Sequence, residues 1–379
     1  MTVRKLAIRA IAPPVPAAAD DGDDQVWLLN LDQIEPHTGR LLSKQMVERG
    51  SVGTSTHAFD AGNLLYSKLR PYLNKVFLPE ESGFCTTELV PLRPDLSLVR
   101  RDYLAAYLRS PKFLAWVDQQ VDGAKMPRVS MKVFWEHEIE LPTLDEQKRI
   151  AAILDKADSL RRKRQQAIRL ADDFLRAVFL DMFGDPVTNP KEWPVENLSN
   201  LCDVATGATP SRDAPSYFDG PHPWIKTGEV DSDWIVSAEE RISDSAIAET
   251  NCKLFPPQTI LVAMYGQGKT RGKVGMLGIP AATNQACAAI LPSSKVNSEF
   301  LFSQLRMSYE ALREMGRGGN QENLNLGMIK TLDILRPPTE LVSKYSAIRK
   351  QLKALSKPQQ EVETHSLKLA ASLQAEFFG

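Results

Sequence analysis

The chain has 379 residues, 43% of them hydrophobic and 25% charged, with a formal net charge of −1. That length holds two or more domains with separate cores, and no apolar run approaches the roughly 18–20 residues needed to span a bilayer. The near-neutral balance excludes a globally basic nucleic-acid binder, so any DNA contact must come from local patches.

The N-terminal Met-Thr-Val-Arg-Lys leads into no signal-peptide apolar core, so a cytoplasmic location is expected. Next, residues 13–24 are rich in Pro, Ala, Asp and Gly and read as a surface loop or mobile insertion. Short apolar runs such as Val26-Trp-Leu-Leu-Asn30 and Asn63-Leu-Leu-Tyr66, punctuated by Gly, Pro and Asn, suggest strands. Over 103–113, Leu104, Tyr107 and Leu108 have helical spacing.

The strongest helix signal follows. Thr143-Leu-Asp-Glu146 fits a capping box. Apolar residues then recur at Ile150, Ile153/Leu154, Ala157, Leu160, Ala167, Leu170/Ala171, Phe174, Val178 and Met182, a heptad-type stripe stopped by Gly184 and Pro186. At about 1.5 Å per residue, such a rod is roughly 57 Å long. A second stripe runs through Leu341, Tyr345, Ile348, Leu352, Leu355, Val362, Leu369, Leu373 and Phe377. Its cap is weaker, with Val342 where the first has Glu146, and Pro358 is expected to kink or split it.

The chain also repeats itself at an offset of about 196 residues. Phe59 answers Phe255, Thr87 answers Thr283, Gly123 answers Gly319 and Thr143 answers Thr339, while Trp27 pairs with Trp224 one residue further on. Ile139-Glu-Leu-Pro142-Thr143 matches Ile334-Leu-Arg-Pro-Pro338-Thr339, and Met182-Phe183-Gly184 matches Phe377-Phe378-Gly379. A duplication of this period implies two similar α/β units related by an approximate two-fold axis, each followed by a long helix. The predicted architecture is therefore α+β: a first unit at 1–142, a spacer helix at 143–185, a second unit at 186–338 with a helix over 297–315, and a second spacer helix at 339–379. Neither apolar stripe is stable alone in water, so the two helices are expected to pair as an antiparallel coiled coil.

Few residues carry a specific chemical signal. Ala263-Met-Tyr-Gly-Gln-Gly268-Lys269-Thr270 matches a phosphate-binding P-loop at its end only, with Ala263 where Gly is required. The better reading is a flexible basic loop carrying Gln267, Lys269, Arg271 and Lys273, suited to phosphates and base edges, against the plainer alternative of a solvated hairpin. In Gly316-Arg-Gly-Gly-Asn-Gln-Glu-Asn323, Asn320, Gln321 and Asn323 have the groups that read adenine, and Arg317 can read guanine or hold phosphate. Thr206-Gly-Ala-Thr-Pro-Ser-Arg212 adds Thr209, Ser211 and Arg212. In the first unit the matching candidates are Lys68, Arg70, Tyr72 and Lys75, with Lys125, Arg128 and Ser130 in Gly123-Ala-Lys-Met-Pro-Arg-Val-Ser130. Arg161-Arg-Lys-Arg164 reads more readily as a solvated helix face than as a contact. The four cysteines (Cys85, Cys202, Cys252, Cys287) and five histidines are scattered, which suits reduced core residues better than a metal site or a disulfide framework. No Asn/Asp-Pro-Pro-Tyr/Phe methyltransferase motif, nuclease carboxylate pair, Gly-x-Ser-x-Gly or His-x-x-x-His stands out. The chain is expected to be catalytically inert and to bind neither S-adenosylmethionine nor ATP.

The tandem arrangement, the helix start Leu-Pro-Thr-Leu-Asp-Glu-Gln-Lys-Arg-Ile-Ala-Ala-Ile-Leu at 141–154 and its Phe-Gly close resemble the DNA specificity subunit of type I restriction-modification systems. Thr206–Ser211 and the Thr-Asn-Gln-Ala segment at 283–286 are similar to members of that family as well. The first unit lacks the Thr-Gly-x-Thr-Pro-Ser segment. The resemblance implies two target-recognition domains, each reading half of a bipartite double-stranded DNA site. It implies further that the helices set the spacing and recruit two methyltransferase subunits, with restriction/translocase subunits joining for cleavage; S-adenosylmethionine and ATP then belong to those partners. A diverged nuclease or methyltransferase, and a coiled-coil adaptor for protein or RNA, are the alternatives.

Overall fold

The computed structural model describes residues 4–18, 24–123, 125–231, 233–266, 268–316 and 323–378, with the side chains of 355–371 and 374 left undescribed. The chain forms two compact units, 1–165 with 359–379, and 166–358, so that each long helix contributes half its length to each unit.

The two units use the same plan. In the first, Arg4–Ala7 pairs antiparallel with Glu138–Leu141, and in the second Val195–Asn197 pairs antiparallel with Asp333–Leu335. Each unit is thus closed by its own first and last strands. The Trp-bearing strands, Gln25–Leu29 and His222–Ile225, each pair parallel with a strand further along, Gly83–Thr86 and Ala282–Thr283. A central strand follows in both, Leu64–Ser67 between Val76–Phe77 and Leu89–Leu92, and Ile260–Ala263 between Val274–Met276 and Cys287–Ile290. These apolar runs are buried on both faces, which is why they lack alternation in the sequence. The second unit extends its sheet by Val204–Thr206. Trp27 and Trp224 are both buried, Trp27 edge-on to Phe59 at 5.2 Å and Trp224 edge-on to Phe218 at 5.9 Å.

The helices expected over 103–113 and 297–315 are each two. Ser110 accepts from the Phe113 N–H at 3.3 Å and caps Pro111–Asp118, breaking it from Arg101–Leu108. In the second unit Ser298–Met307 ends at Ser308, before Tyr309–Met315. Pro14, in the stretch read as a loop, bridges to Leu92; residues 19–23 of that stretch lie outside the described residues.

The long helices are Leu144–Phe183 and Thr339–Phe378, 40 residues each. The second is one helix across Pro358, so it is not split there, although an interior proline removes an N–H donor and crowds the preceding turn at a cost of about 3 kcal/mol. The capping box at 143–146 is half formed. The Thr143 hydroxyl accepts from the Glu146 N–H at 3.3 Å, but the Glu146 carboxylate pairs with Arg149 at 2.7 Å.

The ends of both stripes are core. Ile150 and Phe378 are buried in the first unit, where Phe378 meets Tyr103 at 5.6 Å and Tyr107 at 5.4 Å. In the second, Phe179 and Phe183 pack on Tyr345, each at 5.5 Å. Within each unit, then, the start of one helix lies with the end of the other. The middle of the first stripe differs from expectation: Leu160, Leu170 and Phe174 are 47%, 59% and 51% exposed. Periodicity selects a face but does not supply what covers it.

Candidate nucleic-acid interface

In the first unit the two candidate segments lie side by side. Leu69 and Arg128 form an antiparallel bridge; the Val129 N–H donates to the Lys68 carbonyl at 3.0 Å and the Arg70 N–H to the Pro127 carbonyl at 2.7 Å. Lys68 in turn donates its N–H to the Glu88 carbonyl at 3.0 Å. This leaves Arg70, Tyr72, Lys125 and Arg128 exposed, with Lys68 and Ser130 half-buried beside them. Arg70 (φ 49°) and Asn74 (φ 50°) are both left-handed and flank the single 3-10 turn Pro71–Leu73. Arg70 also precedes a proline, a position normally driven to extended backbone. Such residues cost about 1–3 kcal/mol each and persist where surrounding bonds over-determine them.

Two of these candidates are less available than their residue type suggests. The Arg128 guanidinium forks onto Glu88 at 2.8 Å and holds that carboxyl below the usual carboxylate range. Lys75 is half-buried; its amine donates to the Leu31 carbonyl at 2.5 Å, and burial lowers its pKa.

The second unit builds the same platform. The Leu324 N–H donates to the Met264 carbonyl at 3.1 Å, and the Met264 N–H to the Ala286 carbonyl at 2.9 Å. Alongside, the Ala208 N–H donates to the Thr283 carbonyl at 3.0 Å and the Thr209 hydroxyl to the Gln285 side-chain oxygen at 2.5 Å. A Cβ on Gly207 would sit 1.8 Å from the Thr283 carbonyl oxygen, so only glycine allows the Thr206–Ser211 segment to lie this close. Two segments matched separately in the sequence are thus one structure. Thr209, Ser211, Tyr265, Lys269, Gln285 and Asn323 are exposed around it.

The loop at 264–273 joins two antiparallel strands, Ile260–Ala263 and Val274–Met276, so it is a hairpin and builds no phosphate site at a helix start. Arg313 straps it through the Gly268 carbonyl at 2.9 Å, and the Tyr309 hydroxyl donates to the Lys269 carbonyl at 2.7 Å. Arg271 is corrected as a base-reading residue. It is 6% exposed, with Nη2 3.5 Å from the Arg313 carbonyl, so it holds the loop from beneath. Lys273 pairs with Asp231 at 2.5 Å. Arg212 pairs with Glu240 at 2.7 Å and lies 4.1 Å over the Phe218 ring; together with Lys226 it keeps the Glu240 carboxyl low. Gln267, Arg317, Asn320 and Gln321 lie outside the described residues. On the first long helix, Arg161 and Arg162 both pair with Asp158, as an ion-paired helix face does.

Gln285, Tyr265, Tyr309 and Arg313 were not singled out from the sequence. Gln285 had a signal, since it sits in the matched Thr-Asn-Gln-Ala segment; the strapping residues had none, because their role depends on long-range backbone contacts. Among the described residues no group of three or more His, Cys, Asp or Glu side chains is gathered as a metal ion would require. All four cysteines are buried, and burial raises the Cys85 and Cys287 thiols to about 12.

The two units are α+β and of one plan, and each presents a polar two-loop platform. The family model for the type I restriction modification DNA specificity domain matches residues 38–170 and 190–368, so the chain belongs to that family. It is 28% identical over 167 residues to the type I restriction enzyme MjaIX specificity subunit of Methanocaldococcus jannaschii, covering 42% of this chain and 37% of that protein. It is 24% identical over 170 residues to the EcoDI specificity subunit of Escherichia coli, covering 44% of this chain and 37% of that protein. The matched region therefore spans little more than a third of each relative. The fold is similar to a crystal structure of the type I restriction-modification system S subunit from M. genitalium, with a TM-score of 0.67, 12% identity, and coverage of 100% of this chain and 96% of that one.

Proposed function

We propose that this chain is the non-catalytic, sequence-specific subunit that reads a bipartite double-stranded DNA target, one half per unit, and recruits methyltransferase and restriction subunits. The observation that carries this reading is the duplicated platform: the Val129–Lys68 and Leu324–Met264 backbone bonds stitch corresponding loops in both units. Each platform exposes side chains that suit base edges and phosphates, Arg70, Lys125 and Tyr72 in one, Thr209, Gln285, Lys269 and Asn323 in the other. Two modest half-site interactions on one chain gain affinity because the second is intramolecular, and the long helices fix the separation.

The test is reconstitution with methyltransferase subunits, followed by genome-wide mapping of methylated sites. A bipartite motif is expected; a contiguous motif, or methylation without sequence preference, overturns the reading. S-adenosylmethionine and ATP belong to the partners, so titration calorimetry of the pure chain is expected to show no binding of either at micromolar concentration. The ion pairs Arg128–Glu88, Arg212–Glu240 and Lys273–Asp231 favour a second reading, an adaptor for protein or RNA. Salt-insensitive partner binding without DNA distinguishes it.

A further inference from the structure

Tyr72 is 46% exposed at the tip of Pro71–Leu73, and everything beneath it is fixed. Pro71 is buried; the Leu73 carbonyl accepts from the His37 N–H at 3.0 Å; and Asn74, 5% exposed, donates its side-chain amide to the Arg109 carbonyl at 3.0 Å. Arg70 is tied at 2.7 Å to the Pro127 carbonyl, in the loop that also exposes Lys125 and Met126, the latter by 48%. A large ring on a turn held between two left-handed residues loses little further freedom on binding. The second unit's corresponding loop, 264–273, is longer and carries its own exposed ring, Tyr265, 42% exposed and two residues after Ile260–Ala263, whereas Tyr72 lies five residues after Leu64–Ser67.

We propose that Tyr72 is an aromatic wedge that stacks into a base step of the first unit's half-site and kinks the duplex there. This rests on the DNA-reading function proposed above. A ring inserted between bases partly unstacks them, and the deformation energy depends on the step being opened. Selectivity would then extend to base pairs that no side chain touches. Arg70 and Lys125, flanking the ring, would hold the phosphates of the bent strand.

The experiment uses the full chain with its methyltransferase partners and a duplex carrying the mapped site. Fluorophore pairs spanning each half in turn report bending, and 2-aminopurine reports unstacking. Tyr72→Ala is expected to lose the bend in the first half only and to bind the mapped site roughly 10- to 100-fold more weakly, the scale of one stacked base. Tyr72→Phe is expected to keep both. Because the side chain is exposed, the Ala variant should melt with the wild type, and a melting curve confirms it. If Tyr72→Ala binds within threefold of wild type with the bend intact, the wedge is wrong while the DNA-reading function stands. If the wild type prefers the mapped duplex no more than a scrambled one, that function falls first, and the wedge with it.

Discussion

Arg271 lies beneath the loop it belongs to, and its removal should register as lost stability. Arg271→Ala is expected to cost about 2 kcal/mol through lost packing and lost support for the loop, measured as a lower urea midpoint, without changing which bases are preferred. Gln285→Ala is expected to do the opposite. It leaves the fold intact and relaxes one half-site by about 1–3 kcal/mol, the scale of one side-chain–base contact, which methylation mapping reads directly. If both halves change together, the assignment of Gln285 to one platform is wrong. His137 gives a pH test. Burial, with Lys112 nearby, lowers its pKa from 6.5 to about 4, and its ring nitrogen meets the Tyr107 hydroxyl at 2.9 Å. A histidine whose pKa falls on folding contributes stability that is present above about pH 6.5 and lost as pH drops toward 4. The melting temperature of the wild type should therefore fall more over that window than that of His137→Gln; equal falls would mean that His137 contributes nothing to acid sensitivity.

At the scale of elements, the second long helix is anchored to its unit by a buried network. Arg349, 3% exposed, bonds Glu299 at 2.6 Å and Asp233 at 2.9 Å, and its guanidinium lies 4.6 Å over the Phe302 ring. Arg349→Ala is expected to cost about 3–5 kcal/mol because it strands a buried carboxylate, whereas Arg349→Met with Glu299→Leu should recover most of that. Denaturant unfolding of both variants checks it, and equal losses would contradict the account. Much at this scale was legible in the sequence. The repeat, the long helices and the Trp-bearing strands follow from self-similarity and periodicity. Pro358 does not split the helix of 40 residues that contains it, because the turns on either side carry the helix through. Leu160 and Phe174 read as part of a covered seam yet are about half exposed, because spacing identifies an apolar face without identifying its partner. The site was less legible still, since Arg271 and Lys75 are basic residues in basic loops and only the backbone path shows that Arg271 is buried and that the Lys75 amine meets the Leu31 carbonyl. Thr209 and Gln285 are far apart in sequence, and only the backbone bond from Ala208 to Thr283 beside them brings their loops together.

At the scale of the molecule, the proposal is that two platforms read two half-sites and that the long helices set the spacing between the bases read. Four residues, about one helical turn, inserted near Arg164 with four more near position 360 should lengthen the rods while leaving both platforms untouched. The decisive measurement is genome-wide mapping of methylated sites for the reconstituted complex, with the native chain and with this lengthened one. The account predicts two motifs with the same bases in each half and a longer unread spacer for the lengthened chain. An unchanged spacer, or a change in the bases read in either half, would contradict it.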